Sequence, residues 1–486
     1  MSPSQVLPTL CRQIHVPGRS SGVGLAIVGV SAAVLAGGAV GLQPGIALPL
    51  GALVVGTFLL ISGTVSLFDY FVAGSALMFL PGGGTLHVAA SDALLPALAL
   101  AVIGGRSGRR GLSLSKGAVA YALVGVAVVV LSATVATLSP SGFVMSLGLS
   151  NVLKTIVVLT FMIVTATWVC HAPIQEISRT LRIWGWTAGS LSAGSLLWML
   201  GGPGLIPHDS LRSLGFFQDP NLYAGYLLVS LAVIMAREAL APARETTLLV
   251  VLVCGGVLAT ASRSAAAAMA VLLMLALITV KSRAVRWATV PVGVVGVFLA
   301  FVVLTGLAAS SNLPSLERLT TSTSEVGQDP RLMLWSRALH VWESSPVIGV
   351  GIGQFGRYTV DIGGVLNTGA GYIAHNTFLS YLAETGVMGL GVWLVGFGSL
   401  VSLAWRGRAG TGDLRASLLL GLAAIALQMM TLNLQNVRYV WIYFGLVVGL
   451  AGKSRLQTAL PAAVPRAQWS VQHDAAEDDV RRPARN

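Results

Sequence analysis

Arg331 heads the run Gln328-Asp329-Pro330-Arg331-Leu332-Met333-Leu334-Trp335. Asp329 suits an N-cap and Pro330 a first helical position. Arg331 then falls in a first turn, where unpaired backbone N–H groups already favour anions. A guanidinium there makes a phosphate site. The plainer reading is a surface arginine that reaches lipid headgroups. Downstream, Ala374-His375-Asn376-Thr377-Phe378-Leu379 offers a histidine. Histidine titrates near neutrality and serves as a general base toward a hydroxyl; the plainer reading is a helix cap or an interfacial side chain. Glu384 follows nine residues on, about half a turn out of phase at ~100° per residue. It therefore cannot orient His375 within one straight helix, and a neighbouring helix or the backbone is its expected partner.

Two more stretches carry polar groups at span ends. Ser262-Arg263-Ser264 is a turn of almost no length between apolar runs, and an arginine there reaches the mouth of a bundle. Leu211-Arg212-Ser213-Leu214-Gly215-Phe216-Phe217-Gln218-Asp219-Pro220-Asn221 forms another turn, in which Asp219 or Asn221 is most simply a helix cap. Gly349-Val350-Gly351-Ile352-Gly353-Gln354-Phe355 resembles a nucleotide loop in composition only. No strand precedes it and no helix-opening third glycine fits, so it reads as a tight connection where backbones approach closely. Hard divalent cations need carboxylate oxygens. No Asp-x-Asp, Glu-x-Asp or His/Asp/Glu cluster accompanies these residues, so a metal-independent mechanism without cofactor is expected.

The elements that must position these groups are apolar. Hydrophobic residues make up 55% of the 486 positions and charged residues 10%, with mean hydropathy +0.80; soluble domains carry roughly 25% charged residues. The apolar residues come in long uncharged runs that read as spanning helices. About fourteen spans are expected from such runs, some shorter than a full crossing. They fall near 22–42, 46–66, 68–81, 90–104, 117–139, 149–170, 185–206, 222–237, 246–262, 264–281, 287–309, 385–405, 414–432 and 438–452. The pair 68–81 and 90–104 is the weakest, and dropping both leaves twelve. No cleavable signal is expected, because the first run is too long and leads straight into another span. The three cysteines, Cys11, Cys170 and Cys254, suggest no disulfide framework.

The net charge of +12 would suggest nucleic acid in a soluble protein. Here the basic residues flank spans and orient them, so no nucleic-acid partner is expected. With the N-terminus inside, most Lys and Arg residues fall on the cytoplasmic side. Arg212, Arg263, Arg318, Arg331, Arg337, Arg357 and Arg438 remain outside, and Lys154 lies within a span. Arginines kept where topology disfavours them suggest a task. The organisation read from these runs is an N-terminal transmembrane bundle over 1–309, then a large extracytoplasmic (periplasmic) loop over 310–384. C-terminal transmembrane helices follow over 385–452, and a disordered cytoplasmic tail over 453–486. Both termini are expected in the cytoplasm. In the loop, Leu332, Trp335, Leu339 and Trp342 predict a short amphipathic helix on the outer membrane face, ended by Ser345-Pro346.

Several of these motifs together resemble the O-antigen ligase and O-antigen polymerase superfamily of bacterial envelope glycosyltransferases. They are Arg331-x3-Trp335 with Pro346-x2-Gly349-x-Gly351-x-Gly353-x-Phe355, Ala374-His375-Asn376-x2-Leu379 and Glu384-x-Gly386, then Thr260-Ala261-Ser262-Arg263, and Arg212-x2-Gly215-x-Phe217-x-Asp219-Pro220-Asn221. The resemblance covers roughly residues 200–400 by motif. It implies an all-α polytopic membrane protein of about 12–14 transmembrane helices, GT-C-like, whose large outer loop contains short amphipathic helices. It also implies an undecaprenyl-diphosphate-linked glycan donor, a glycan or lipid acceptor, and a bacterial cytoplasmic (inner) membrane setting. The pathways implied are those of lipopolysaccharide or exopolysaccharide biosynthesis. By that resemblance Arg263 and Arg331 hold the diphosphate and His375 acts on the acceptor hydroxyl. Arg212, Asn221, Asn376 and Glu384 are then expected to bind substrate. No carboxylate pair suits a double displacement, so inversion at the anomeric carbon is expected. The rival class is a lipid-linked oligosaccharide flippase. Such transporters show repeats and broken helices at mid-membrane, whereas the polar groups here gather on one side.

Overall fold

The computed structural model describes residues 66–76, 116–137, 145–287 except 203, 210, 211 and 218, 330–362, 372–406 and 412–459, with isolated positions between 92 and 99 and at 290. The spans expected near 22–42, 46–66 and 287–309 lie outside the described residues, as do Arg318 and the tail beyond 459. Among the described residues the structure is helical, with no strand beyond an isolated bridge between His208 and Ser213. In chain order the helices are α1 (Leu67–Gly74), α2 (Lys116–Thr137), α3 (Met145–His171), α4 (Ile174–Met199), α5 (Pro220–Leu240), α6 (Thr246–Ala259) and α7 (Arg263–Thr279). There follow α8 (Pro330–Ser344), a 3-10 helix (Phe355–Ile362), α9 (Thr377–Arg406), α10 (Gly412–Met429) and α11 (Arg438–Ala459). Four stretches, Leu147–His171, Pro220–Leu240, Thr377–Arg406 and Gly412–Met429, are long and apolar enough to cross a membrane. The protein is an all-α polytopic membrane protein.

The helices pack side by side: α11 runs parallel to α3 and α6 parallel to α4, while α10 runs antiparallel to α5. Their core is continuous and rich in aromatic contacts, such as Tyr226 with Tyr439 and Phe217 with Tyr223. Exposed side chains such as Leu149, Leu153, Met274, Ile278 and Val395 point outward, as membrane helices require. One end of the bundle gathers the starts of α3, α5, α7, α9 and α11 with the ends of α2, α4, α6 and α10. It is called the site end below.

The helix expected over 185–206 runs instead from Ile174 to Met199. Its first turns leave the apolar run because their arginines have partners at the far end. Arg179 pairs with Asp69 of α1 at 2.9 Å, and Arg182 with Glu245 at 2.8 Å. Arg237 joins the same Glu245 at 3.2 Å. Nearby, Glu238 accepts from Thr246 Oγ1 at 2.6 Å and from the Ala243 N–H at 2.9 Å. Basic residues read only as topological markers thus tie α1, α4, α5 and α6 together. At the site end Arg438 makes a two-pronged pair with Asp92, at 3.2 and 2.7 Å. Asp69 and Asp92 therefore attach the two weakest expected spans at opposite ends of the bundle. Helix α11 continues to Ala459, past Lys453.

The large loop is fastened to a break in α9. Gly386 is non-helical there, with φ 63° and ψ −164°. The N–H groups of Val387 and Met388 donate to the carbonyls of Pro346 and Val347 at 3.0 and 3.1 Å. The freed carbonyls of Ala383 and Glu384 accept from the N–H groups of Val350 and Gly351, each at 3.0 Å. The loop so replaces the bonds that the helix gives up, as buried backbone groups demand. The close-approach reading of the glycine run is borne out. A Cβ on Gly349 would lie 2.3 Å from the Glu384 carbonyl carbon, and one on Gly386 2.3 Å from that of Val347. Both glycines also have positive φ. Gly349→Ala is expected to destabilise the protein by about 2–3 kcal/mol through overpacking and left-handed strain. Thermal unfolding in detergent measures this; an unchanged midpoint would show that the clasp yields freely.

Candidate active site at one end of the helix bundle

The site end begins with a short reversal before α5. The Asp209 N–H donates to Arg212 O and the Leu214 N–H to Pro207 O, both at 2.9 Å. The Ser213 N–H reaches Ala259 O at 3.0 Å and fastens the turn to the end of α6. Arg212 is thereby aimed across two elements. Its Nε donates to Thr260 O at 2.9 Å, and its Nη2 to Asn221 Oδ1 at 2.8 Å. Asp219 is the N-cap of α5, accepting from the Asn221 N–H at 2.7 Å and from Asn221 Nδ2 at 2.8 Å. Of the two capping candidates the structure selects Asp219, with Pro220 at N1 as its ring geometry favours. Arg212 and Asn221, distant from Arg263 in sequence, thus brace the turn that precedes it.

That turn is strained. Ala261 has φ 49°, a left-handed conformation uncommon outside glycine. Ser262 then caps α7, its Oγ accepting from the Ala265 N–H at 3.4 Å. Arg263, the first residue of α7, is exposed. His375 has φ 50°. Among the described residues these two are the non-glycine positions with positive φ, and each sits beside or at a residue singled out from the sequence. Strain of this kind costs on the order of 1–3 kcal/mol and persists where the surroundings impose it.

His375 is half-buried. The helix-capping reading falls to its neighbour: Asn376 Oδ1 accepts from the Leu379 N–H at 3.1 Å, while Asn376 Nδ2 donates to Met430 O at 3.2 Å. Thr377 completes the joint with α10, donating to Leu432 O at 2.7 Å and accepting from the Leu434 N–H at 3.0 Å. Nothing in the sequence marked Thr377, because the joint links segments far apart in the chain.

Arg331 lies half-buried in the first turn of α8, which begins at Pro330 as the sequence indicates. Trp335 Nε1 donates to Ala374 O at 3.1 Å and ties that helix to the residue before His375. A second face packs on the protein. Ala338 and Val341 are buried against Phe355, Ala374 and Ala383 in a small second core, and Leu334 is buried as well. Leu332 and Leu339, expected to face the membrane, are exposed on the protein surface. Trp342 donates to Pro346 O at 3.0 Å at the end of its own helix. Glu384 is buried, and its carboxylate accepts from the Phe355 N–H at 3.4 Å. Its carbonyl accepts from Ser132 Oγ at 2.7 Å. Its partners are therefore backbone groups and a neighbouring helix, as the half-turn argument required.

Chemically, this part of the structure offers arginines at two helix starts and a half-buried imidazole before a third. Among the described residues no group of three or more His, Cys, Asp or Glu side chains comes together as a metal site would need. The class defined so far is a polytopic helical membrane protein with Arg263, Arg331 and His375 at or beside helix starts. Residues 248–394 match the family described as O-antigen ligase, and this segment of the chain is similar to that family. The match supports a membrane glycan-ligating enzyme in general terms. It takes in Arg263, Arg331, His375, Asn376 and Glu384; Arg212 and Asn221 precede it. No curated protein matches the chain.

Proposed function

We propose that the protein transfers or polymerises a glycan from an undecaprenyl-diphosphate-linked donor onto an acceptor hydroxyl, on the outer face of the bacterial cytoplasmic membrane. The family match over 248–394 carries this reading, because Arg263, Arg331 and His375 all fall inside it. The two strained backbone positions support it, since such strain gathers at functional sites.

In this proposal His375 takes the proton from the acceptor hydroxyl. The hydroxyl oxygen attacks the anomeric carbon of the donor sugar from the face opposite the diphosphate. The bond from that carbon to the diphosphate oxygen breaks, its electron pair leaves with the diphosphate, and configuration inverts. Arg263 and Arg331 stabilise the growing charge, more in the transition state than in the ground state. Arg212 and Asn221 act through the Thr260–Arg263 turn, and Asn376 and Glu384 through the α9 start and the loop clasp. Both termini lie in the cytoplasm, as the distribution of basic residues favours.

The test is transfer by purified protein in nanodiscs containing an undecaprenyl-diphosphate-linked oligosaccharide. Release of undecaprenyl diphosphate with glycan appearing on the acceptor is expected, and the rate is expected to be unchanged in EDTA. Loss in EDTA that Mg²⁺ or Mn²⁺ restores would overturn metal independence. Donor crossing a vesicle bilayer without release of undecaprenyl diphosphate would make the protein a flippase.

A further inference from the structure

Among the described residues Lys154 is a cation within an apolar stretch that neither the fold nor the proposed mechanism uses. It lies within the apolar stretch Leu147–His171 of α3, about 10 Å along the helix from Leu147 at ~1.5 Å per residue. An ionisable side chain at such a depth is costly and rarely idle. Among the described residues Lys154 has no hydrogen-bond or ion-pair partner, and Arg438 lies near it across the α3–α11 seam, two residues on from the Asn436 that bonds Asn151. Arg438 is already engaged by Asp92 at 2.7 Å, with side-chain exposures of 10% and 17%. Among the described residues no carboxylate pairs with Lys154 to balance its charge.

The surroundings define what could balance it. Asn436 Nδ2 donates to Asn151 Oδ1 at 3.3 Å, one turn from Lys154 on the same face of α3. These carboxamides add polarity where α3 meets the residues leading into α11. On the other flank, Leu149, Leu153 and Ile156 are 55%, 51% and 42% exposed. That flank opens toward the acyl chains, so a ligand reaching it arrives through the bilayer. Helical side chains lean toward the helix N-terminus, which sends the Lys154 ammonium toward the headgroups at the site end.

We propose that Lys154, with Arg438, Asn151 and Asn436, forms a binding site for a lipid phosphate at the α3–α11 seam, separate from Arg263 and Arg331. The phosphate belongs either to a polyprenyl carrier or to an anionic phospholipid. The site stands whether or not the glycan-transfer reading does.

Native mass spectrometry of the full chain from phosphatidylcholine nanodiscs tests it. Undecaprenyl phosphate is added in one arm and phosphatidylglycerol in the other. Lys154→Gln is expected to weaken retention in the responding arm about fivefold, the effect of roughly 1 kcal/mol per surface cation, while Lys154→Arg retains it. A response to undecaprenyl phosphate alone identifies the carrier, and one to phosphatidylglycerol alone the bulk lipid. Retention by Lys154→Gln equal to wild type in both arms would show that Lys154 only snorkels, and overturns the site. Photo-crosslinking of the wild-type protein with both lipids is independent of variant folding. Cross-links within residues 147–158 or 434–442 are expected, and cross-links confined to other segments overturn the proposal.

Discussion

Replacing His375 with asparagine is expected to lower glycan transfer about 10²–10⁴-fold, the usual contribution of a general base, while donor binding persists. The structure makes this substitution a clean one. His375 has φ 50°, a conformation that asparagine accepts more readily than most residues. Capping of α9 belongs to Asn376, so asparagine at 375 removes basicity without uncapping the helix. His375→Gly serves as the companion, because glycine also adopts this backbone conformation without strain. Equal losses in the two variants, with unchanged thermal midpoints, fit a base. Near-normal transfer by His375→Asn would instead make the histidine a hydrogen-bonding or structural residue.

Arg331→Ala is expected to cost about 10²–10³-fold in turnover, comparable to removing one donor from a developing oxyanion. Arg331 stands half-buried in the first turn of α8 and is not part of the second core, to which α8 contributes Ala338 and Val341. Its loss should leave the second core intact. Arg331→Lys keeps the charge but not the two-pronged fork that suits a phosphate, so it should recover only part of the rate. A single-turnover assay with donor in excess separates chemistry from binding. Full activity in Arg331→Ala would assign the diphosphate to other residues.

Much of this was legible in the chain. The start of α8 followed from Asp329-Pro330, and the start of α5 from Asp219-Pro220, because caps and proline act within a few residues. The glycine run was readable as a close backbone approach. The partner it approaches was not: the break at Gly386 lies more than thirty residues on. Within α8 the stripe of Leu332 and Leu339 was readable as a membrane-facing one. That Ala338 and Val341 pack on Phe355, Ala374 and Ala383 was not, because those partners lie elsewhere in the chain.

By itself, the sequence determined that this is a helical membrane protein, because long apolar runs have few other stable outcomes in a bilayer. It also determined which arginines and which histidine stand at span ends, since hydropathy sets span ends. Tertiary structure alone decided their company. Arg212 braces the Thr260 turn through Asn221 and Thr260 O, Trp335 holds Ala374, and Asp69 and Asp92 find arginines more than a hundred residues away. Local rules act over one or two helical turns, whereas these pairings depend on which helices pack side by side. In an apolar medium, side-chain packing and polar pairing settle that choice.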